Sequence, residues 1–191
     1  MHSLHPDLTL AMGEMMDRID GYLREAGYSG EPVQMYLAGG MAVHYYCGTR
    51  YTDDVDATFS RRLMLPFEEL VIDDMREAGT PSSIYFDTTY NDTFALLHPN
   101  HRESCVEWEG MGNERRLIHL LVFCPVDLAV SKLSRFSSND QADILALARQ
   151  RYFTTAQLQS RAIEALDHYV GETRWIHFNL AQISQEIALA A

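Results

Sequence analysis

The chain has 191 residues, of which 47% are hydrophobic, a length that suits one well-filled core with or without a helical appendage. Asp and Glu total 27 against 15 Lys and Arg, and the net charge of -12 disfavours broad electrostatic binding to nucleic acid while leaving room for a local basic pocket. No run approaches the roughly 18 apolar residues of a membrane span, and the N-terminus lacks the pattern of a signal peptide, so we expect a soluble, cytoplasmic protein. Three cysteines without CxxC spacing are expected to be reduced core residues: Cys47, Cys105 and Cys124.

The first two thirds of the chain alternate helical and extended patterns. Apolar residues recur at helical spacing from Asp7 to Ala26, and Gly27 ends that helix. The run VQMYLAGG predicts a short strand that leads into two glycines, and MAVHYYCG predicts a helix of about two turns that stops at Gly48. DVDATF is an extended stretch, and a further helix is expected from Pro66 to Ala78. Three more strands are predicted in SSIYFDTTY, SCVEWE and RRLIHLLVF.

The last third of the chain is predicted to be helical. Asp127 can cap a first helix, Ser138 with Gln141 has the spacing of a capping box for a second, and two more helices follow. We therefore predict an α+β fold, with a small mixed β-sheet flanked by helices over residues 1–125. A helical subdomain over residues 126–191 is expected to pack on the same core.

The DVD motif carries the strongest chemical signal in the chain. Successive side chains of a strand point to opposite faces, so Asp54 and Asp56 project together while Val55 points into the core. Such a pair of carboxylates repels itself unless a divalent cation or a basic group compensates the charge. Hard cations such as Mg²⁺ or Mn²⁺ prefer oxygen ligands and leave positions open for substrate phosphates. The motif therefore predicts a metal site suited to phosphoryl or nucleotidyl transfer, with Asp53 outside it as a solvent-facing neighbour.

The glycine pair that precedes the motif supports this interpretation. Gly39 and Gly40 lie between a strand and a helix, where backbone N–H groups can approach a phosphate closely. Either motif alone is also compatible with an ordinary turn or a solvated strand end. Their order, with thirteen residues between Gly40 and Asp54, is more specific and favours a phosphate-binding metal site.

A second block, PVDLAVSKLSRFSSNDQADILAL, places charged residues on otherwise apolar helix faces. Lys132 falls in a stripe with Leu128 and Leu133, where it either snorkels along the core edge or reaches a triphosphate as a point charge. Snorkelling alone predicts that Lys132→Met is neutral or stabilising. Asp140 and Asp143 share a helix face, and Asp140 is favoured near a helix N-terminus by the dipole. Asp143 lies one turn further in and is the preferred member of a catalytic set.

These two blocks resemble motifs of the nucleotidyltransferase superfamily with the polymerase-beta-like fold, in which a Gly-Gly or Gly-Ser pair precedes an Asp-apolar-Asp. The segment RYTDDVD, which contains Arg50 and Thr52, is similar in sequence to a segment of the abortive-infection type nucleotidyltransferase toxins. These are bacterial proteins often paired with an antitoxin. The resemblance implies that Asp54 and Asp56 hold the metal, and that Lys132 and Asp143 complete the catalytic set. It also implies the nucleotide-binding residues: Gly39, Gly40, Arg50 and Lys132.

The resemblance implies a cytoplasmic, Mg²⁺- or Mn²⁺-dependent enzyme that moves a nucleoside monophosphate from a triphosphate such as ATP to an acceptor hydroxyl. The acceptor could be an RNA end, such as that of a transfer RNA, or a protein side chain. The acidic composition favours the protein side chain. As a toxin, the protein would have a cognate antitoxin as partner. Two alternatives remain, an inactive binding module of the same fold and a metal-dependent phosphohydrolase. Many such sites use a third strand carboxylate, for which Asp87 and Glu107 are unassigned candidates.

Overall fold

A computed structural model of the chain describes residues 6–48, 52–75, 81–90 and 95–190, and within them the fold is α+β. This confirms the predicted fold class, although the strands form two small mixed sheets where one was predicted. In these ranges the helices and strands are α1 Pro6–Glu25, β1 Val33–Leu37, α2 Gly39–Cys47, β2 Asp54–Val55, β3 Ala57–Phe59, β4 Val71–Met75, β5 Pro81–Phe86, β6 Val106–Glu107, β7 Ile118–Val122, α3 Pro125–Ser131, α4 Ser138–Arg149, α5 Thr155–Leu166 and α6 Arg174–Ala190.

The chain divides into two compact units. The strand unit comprises Met1–Tyr90 and Val106–Val122, and the helical unit comprises Asn91–Cys105 and Phe123–Ala191. The described strands lie in the strand unit with α1 and α2, and helices α3 to α6 lie in the helical unit. The division into residues 1–125 and 126–191 stays a prediction.

The larger sheet of the strand unit has the order β3-β1-β7-β6. Strands β1 and β7 run parallel at its centre, and β3 and β6 flank them in antiparallel orientation. Burial alternates along both central strands, as expected for short apolar strands with one face on a core. Helix α1 contacts β7 and contributes a stripe of buried side chains at helical spacing: Leu8, Met12, Met15, Met16, Ile19 and Leu23.

The smaller sheet has the order β2-β5-β4, with β2 parallel and β4 antiparallel to β5. Only Asp56 separates β2 from β3, so the chain passes from the smaller to the larger sheet at this residue. The backbone N–H of Ala38, directly after β1, donates to the carbonyl oxygen of Asp56 at 2.8 Å. The backbone of the DVD motif is therefore tied to both sheets.

The helix predicted from Pro66 to Ala78 is wrong. A single 3₁₀ turn, Phe67–Glu69, is followed by strand β4, and residues 76–78 lie outside the described ranges. Leu70 and Ile72 are buried two residues apart, and Ile72 pairs with Ile84 of β5. Pairing with β5 thus overrides the local helical spacing, because strand formation depends on neighbours that are distant in sequence.

The four predicted C-terminal helices are confirmed within the described residues, but two of the predicted caps are wrong. Helix α3 starts one turn earlier than expected, with Cys124 at the N-cap and Pro125 in the first turn, where a missing N–H costs nothing. Helix α4 is capped by Ser137, whose side chain accepts from the backbone N–H of Asp140 in a reciprocal capping box. In the part of the chain that the structure describes, no helix is long and apolar enough to cross a membrane.

Candidate functional site

Three carboxylates converge in the strand unit where β2 and β5 end. One oxygen from each of Asp54, Asp56 and Asp87 lies within 4.8 Å of the others, and all three residues are half-buried. The strand register explains the convergence, because Asp54 pairs with Tyr85 and the N–H of Asp87 donates to the carbonyl of Val55 at 3.1 Å. Residues two apart on a strand share a face. The sequence left Asp87 unassigned, and its position beside the DVD motif follows from a parallel pairing that no local pattern indicates.

Two threonines orient these carboxylates. The hydroxyl of Thr52, which is nearly buried, donates to Oδ1 of Asp54. Oδ1 of Asp87 accepts two hydrogen bonds from Thr89, one from its backbone N–H and one from its hydroxyl, both at 2.7 Å. Each bond restricts the rotation of a carboxylate in the cluster.

Gly39 brings the start of helix α2 against the DVD motif. Its φ of +61° is accessible to glycine at little steric cost, and a Cβ placed on it would lie 2.6 Å from Cγ of Asp56, closer than non-bonded carbons approach. The N-cap, Ala38, makes no side-chain capping bond, and the first turn contains no acidic residue. The Asp56 carboxylate therefore lies against the first residue of α2, and a helix N-terminus carries a partial positive charge.

The chemistry of this donor set fits a hard divalent cation. The three ligand atoms are all carboxylate oxygens, which Mg²⁺ and Mn²⁺ prefer, and the half-buried position leaves one side accessible to a substrate. A cation would also relieve the repulsion of three negative charges held close together.

Tyr85 is a member of this neighbourhood that the sequence did not indicate. Partial burial, followed by the negative charges of Asp54, Asp87, Asp53 and Asp56, raises the pKa of Tyr85 above its ordinary value. Its hydroxyl therefore lies within the field of the whole acidic group, although 45% of the residue is exposed. Its pairing with Asp54 across β2 and β5 could not be read from the sequence without the register.

Lys132 and Asp143 come together in the helical unit. The ammonium of Lys132 lies 2.8 Å from Oδ2 of Asp143 and 3.5 Å from Oδ1 of Asp140, and these three side chains are at most 5% exposed. Burial alone would raise the pKa of Asp140, but hydrogen bonds from Arg135 and Ser137 and the charge of Lys132 hold it well below its ordinary value. The ammonium is thus buried in an ion-pair cluster and does not snorkel to solvent.

Asp127 forms a second buried ion pair in the helical unit. Its two oxygens accept from Nε and Nη2 of Arg161 at 2.7 and 2.8 Å, and the thiol of Cys124 donates to Oδ2 at 3.1 Å. Burial raises the pKa of Cys124 to about 11 and that of Cys105 to about 12, so both thiols stay protonated at neutral pH. All three cysteines are free.

The remaining predicted residues are placed as follows. Gly40 is buried in the first turn of α2, adjoining Gly39. Glu107 is exposed on β6 in the larger sheet and is not part of the described carboxylate cluster. Arg50 lies outside the described residues. The metal and nucleotide roles inferred for all these residues stay predictions.

A glycine pair opening a helix after a strand, an Asp-x-Asp at the next strand and a third aspartate directly after the neighbouring strand together match what the resemblance to the nucleotidyltransferase class predicts. The comparison with protein families agrees with that class. Residues 14–184 match the family described as nucleotidyltransferase of unknown function (DUF6036), and the chain belongs to this family. Neither the curated proteins nor the solved structures searched contain a match to the chain. The predicted membership of the nucleotidyltransferase superfamily is confirmed, whereas the likeness to abortive-infection toxins stays a prediction.

Proposed function

We propose that this protein is a metal-dependent nucleotidyltransferase that moves a nucleoside monophosphate from a nucleoside triphosphate to an acceptor hydroxyl, releasing pyrophosphate. The observation that carries the proposal is the convergence of Asp54, Asp56 and Asp87 beside the glycine start of α2, in a member of a nucleotidyltransferase family.

In this proposal Asp54, Asp56 and Asp87 hold Mg²⁺ or Mn²⁺. When bound, such a cation neutralises charge on the transferred group and lowers the pKa of the attacking hydroxyl. The backbone N–H groups at Gly39 and Gly40 bind triphosphate oxygens, since a helix N-terminus favours anions. Thr52 and Thr89 hold two of the carboxylates in a fixed orientation.

Three further roles rest on the resemblance. Lys132 is proposed to bind a phosphate oxygen, Asp143 to orient or deprotonate the acceptor, and Arg50 to contact the nucleotide. Lys132 and Asp143 form an ion pair at 2.8 Å, in which either partner can hold the other in one orientation.

The acceptor is proposed to be a hydroxyl of a protein side chain, which the net charge of -12 favours over an RNA end. A labelling experiment tests the reaction and the acceptor together. Purified protein is incubated with Mg²⁺, cell extract and each of the four ribonucleoside triphosphates labelled at the α-phosphate. We expect label on protein that resists ribonuclease, and no label with Asp56→Asn. Label on RNA would refute the protein acceptor, conversion of the labelled triphosphate to free nucleoside di- or monophosphate would favour a phosphohydrolase, and nucleotide binding without turnover would favour a binding module.

A toxin role, with a cognate antitoxin, is proposed from the resemblance. Expression in a bacterial host should slow growth, and Asp54→Ala should relieve the effect at an equal level of soluble protein. Normal growth at high expression of the parent protein, with no antitoxin present, would contradict this role without touching the chemistry.

A further inference from the structure

Tyr85 neighbours the three carboxylates of the cluster on the smaller sheet. It pairs with Asp54 across the parallel strands β2 and β5, and Asp87 follows it by two residues, directly after the end of β5. Asp56 stands two residues beyond Asp54. Because side chains at paired positions and at i, i+2 lie on the same face of a sheet, the phenol and the carboxylates project to one side.

The hydroxyl of Tyr85 is available to a ligand. The residue is 45% exposed, and its side chain makes no hydrogen bond to any of the residues that the structure describes. The tyrosine side chain is longer than that of aspartate by its ring. Its hydroxyl can therefore extend past the carboxylate oxygens, toward the side on which a ligand of a bound cation would lie.

A phenol is well suited to this position. A tyrosine hydroxyl carries its proton at neutral pH and is a hydrogen-bond donor. A lysine or arginine there would form ion pairs with the same carboxylates and compete with a cation for them. A neutral donor can bind an anionic substrate without that competition.

We propose that the Tyr85 hydroxyl donates a hydrogen bond to a phosphate or sugar oxygen of the nucleoside triphosphate bound at the three carboxylates. This inference rests on the proposed function, and it makes Tyr85 a substrate-binding residue that is not a metal ligand.

Two calorimetric titrations test the inference, one with Mn²⁺ alone and one with ATP, GTP, CTP and UTP in turn in the presence of Mg²⁺. The variants are Tyr85→Phe, which removes only the hydroxyl, and Tyr28→Phe as a matched control. Tyr28 lies in the same unit before the N-terminal end of β1, and its hydroxyl donates only to the backbone of Glu31 among the described residues. Circular dichroism checks that each variant is folded.

We expect Tyr85→Phe to bind Mn²⁺ like the parent protein and to bind the preferred triphosphate about tenfold more weakly, the effect of losing one hydrogen bond to the substrate. The control should match the parent in both titrations. Parental triphosphate affinity in Tyr85→Phe would overturn the inference and leave the metal site standing. Equal loss of Mn²⁺ and triphosphate would also overturn it, since Tyr85 would then act through the carboxylates. Absence of both Mn²⁺ and triphosphate binding in the parent would refute the proposed function itself, and this inference with it.

Discussion

The substitution Lys132→Met should destabilise the helical unit substantially. A methionine keeps the length of the lysine stem and fills the same space, so an apolar stripe alone would accept it without cost. The structure reverses that expectation, because the ammonium is paired at 2.8 Å with Asp143 and at 3.5 Å with Asp140, both nearly excluded from solvent. The substitution would leave two buried carboxylates without this cation.

Removing one partner of a buried ion pair typically costs about 3 to 5 kcal/mol. Asp140 keeps its hydrogen bonds from Arg135 and Ser137, which limits the loss at that carboxylate. We therefore expect a loss of about 3 kcal/mol, a large part of the roughly 5 to 15 kcal/mol that stabilises a typical domain.

Urea unfolding followed by circular dichroism measures this loss, with Arg149→Met as the control. Arg149 is exposed in the last turn of α4, and its replacement should change the free energy of unfolding by less than about 0.5 kcal/mol. The double variant Lys132→Met/Asp143→Leu removes both charges and should recover stability to within about 1 kcal/mol of the parent.

A loss below about 1 kcal/mol for Lys132→Met, with an unchanged denaturant slope, would refute the role given to the ion pair. The double variant then separates structure from chemistry. Parental stability with abolished nucleotide transfer would support the roles proposed for Lys132 and Asp143. Parental stability with parental transfer would make both residues structural.

Three further predictions concern single residues. Asp87→Asn should weaken Mn²⁺ binding in calorimetry by at least about tenfold, whereas Glu107→Gln, exposed on β6, should leave it unchanged; equal effects would remove Asp87 from the metal site. Gly39→Ala should lower the free energy of unfolding by about 1 to 3 kcal/mol and also weaken Mn²⁺ binding, because the added methyl group would overlap the Asp56 carboxylate. Gly27→Ala, at a similar φ but with open space around it, should show the backbone strain alone. Because the pKa of Asp140 is lower in the folded than in the unfolded protein, where it is about 4, the ionised carboxylate stabilises the fold above that pH, and this stabilisation is lost as the pH falls. Asp140→Asn should therefore flatten the decline in the unfolding midpoint between about pH 5 and pH 2, and an unchanged decline would contradict this.

The features that the sequence predicted correctly are those with local causes. Strand β1 ends shortly before the two glycines that open α2, and α2 stops at Gly48, which adopts a left-handed conformation as a helix-terminating glycine does. The extended DVD motif and its convergent carboxylates follow from the alternation of a strand. These signals lie within a few residues of the structure that they specify.

The features that sequence reasoning missed depend on partners distant in the chain. Asp87 and Tyr85 reach the DVD motif only through the parallel pairing of β5 with β2, and β4 replaces a predicted helix because Ile72 pairs with Ile84. Lys132 also depends on a partner outside its own segment, because the local pattern places it in an apolar stripe. Its partner Asp143 lies eleven residues onward on the next helix, and helical periodicity within α3 could not indicate that contact.

The geometry of the carboxylate cluster is set mainly by backbone hydrogen bonds. Strand β2 has only two residues, yet the N–H groups of Tyr85 and Asp87 donate to the carbonyls of Asp53 and Val55, at 2.8 and 3.1 Å, and so bracket Asp54. The carbonyl of Asp56 accepts from the N–H of Ala38, directly after β1 of the larger sheet. Since amide substitutions at the three aspartates leave these bonds intact, they should remove charge without moving the strands. A loss of metal binding in such variants would therefore report on the ligands themselves and not on the fold.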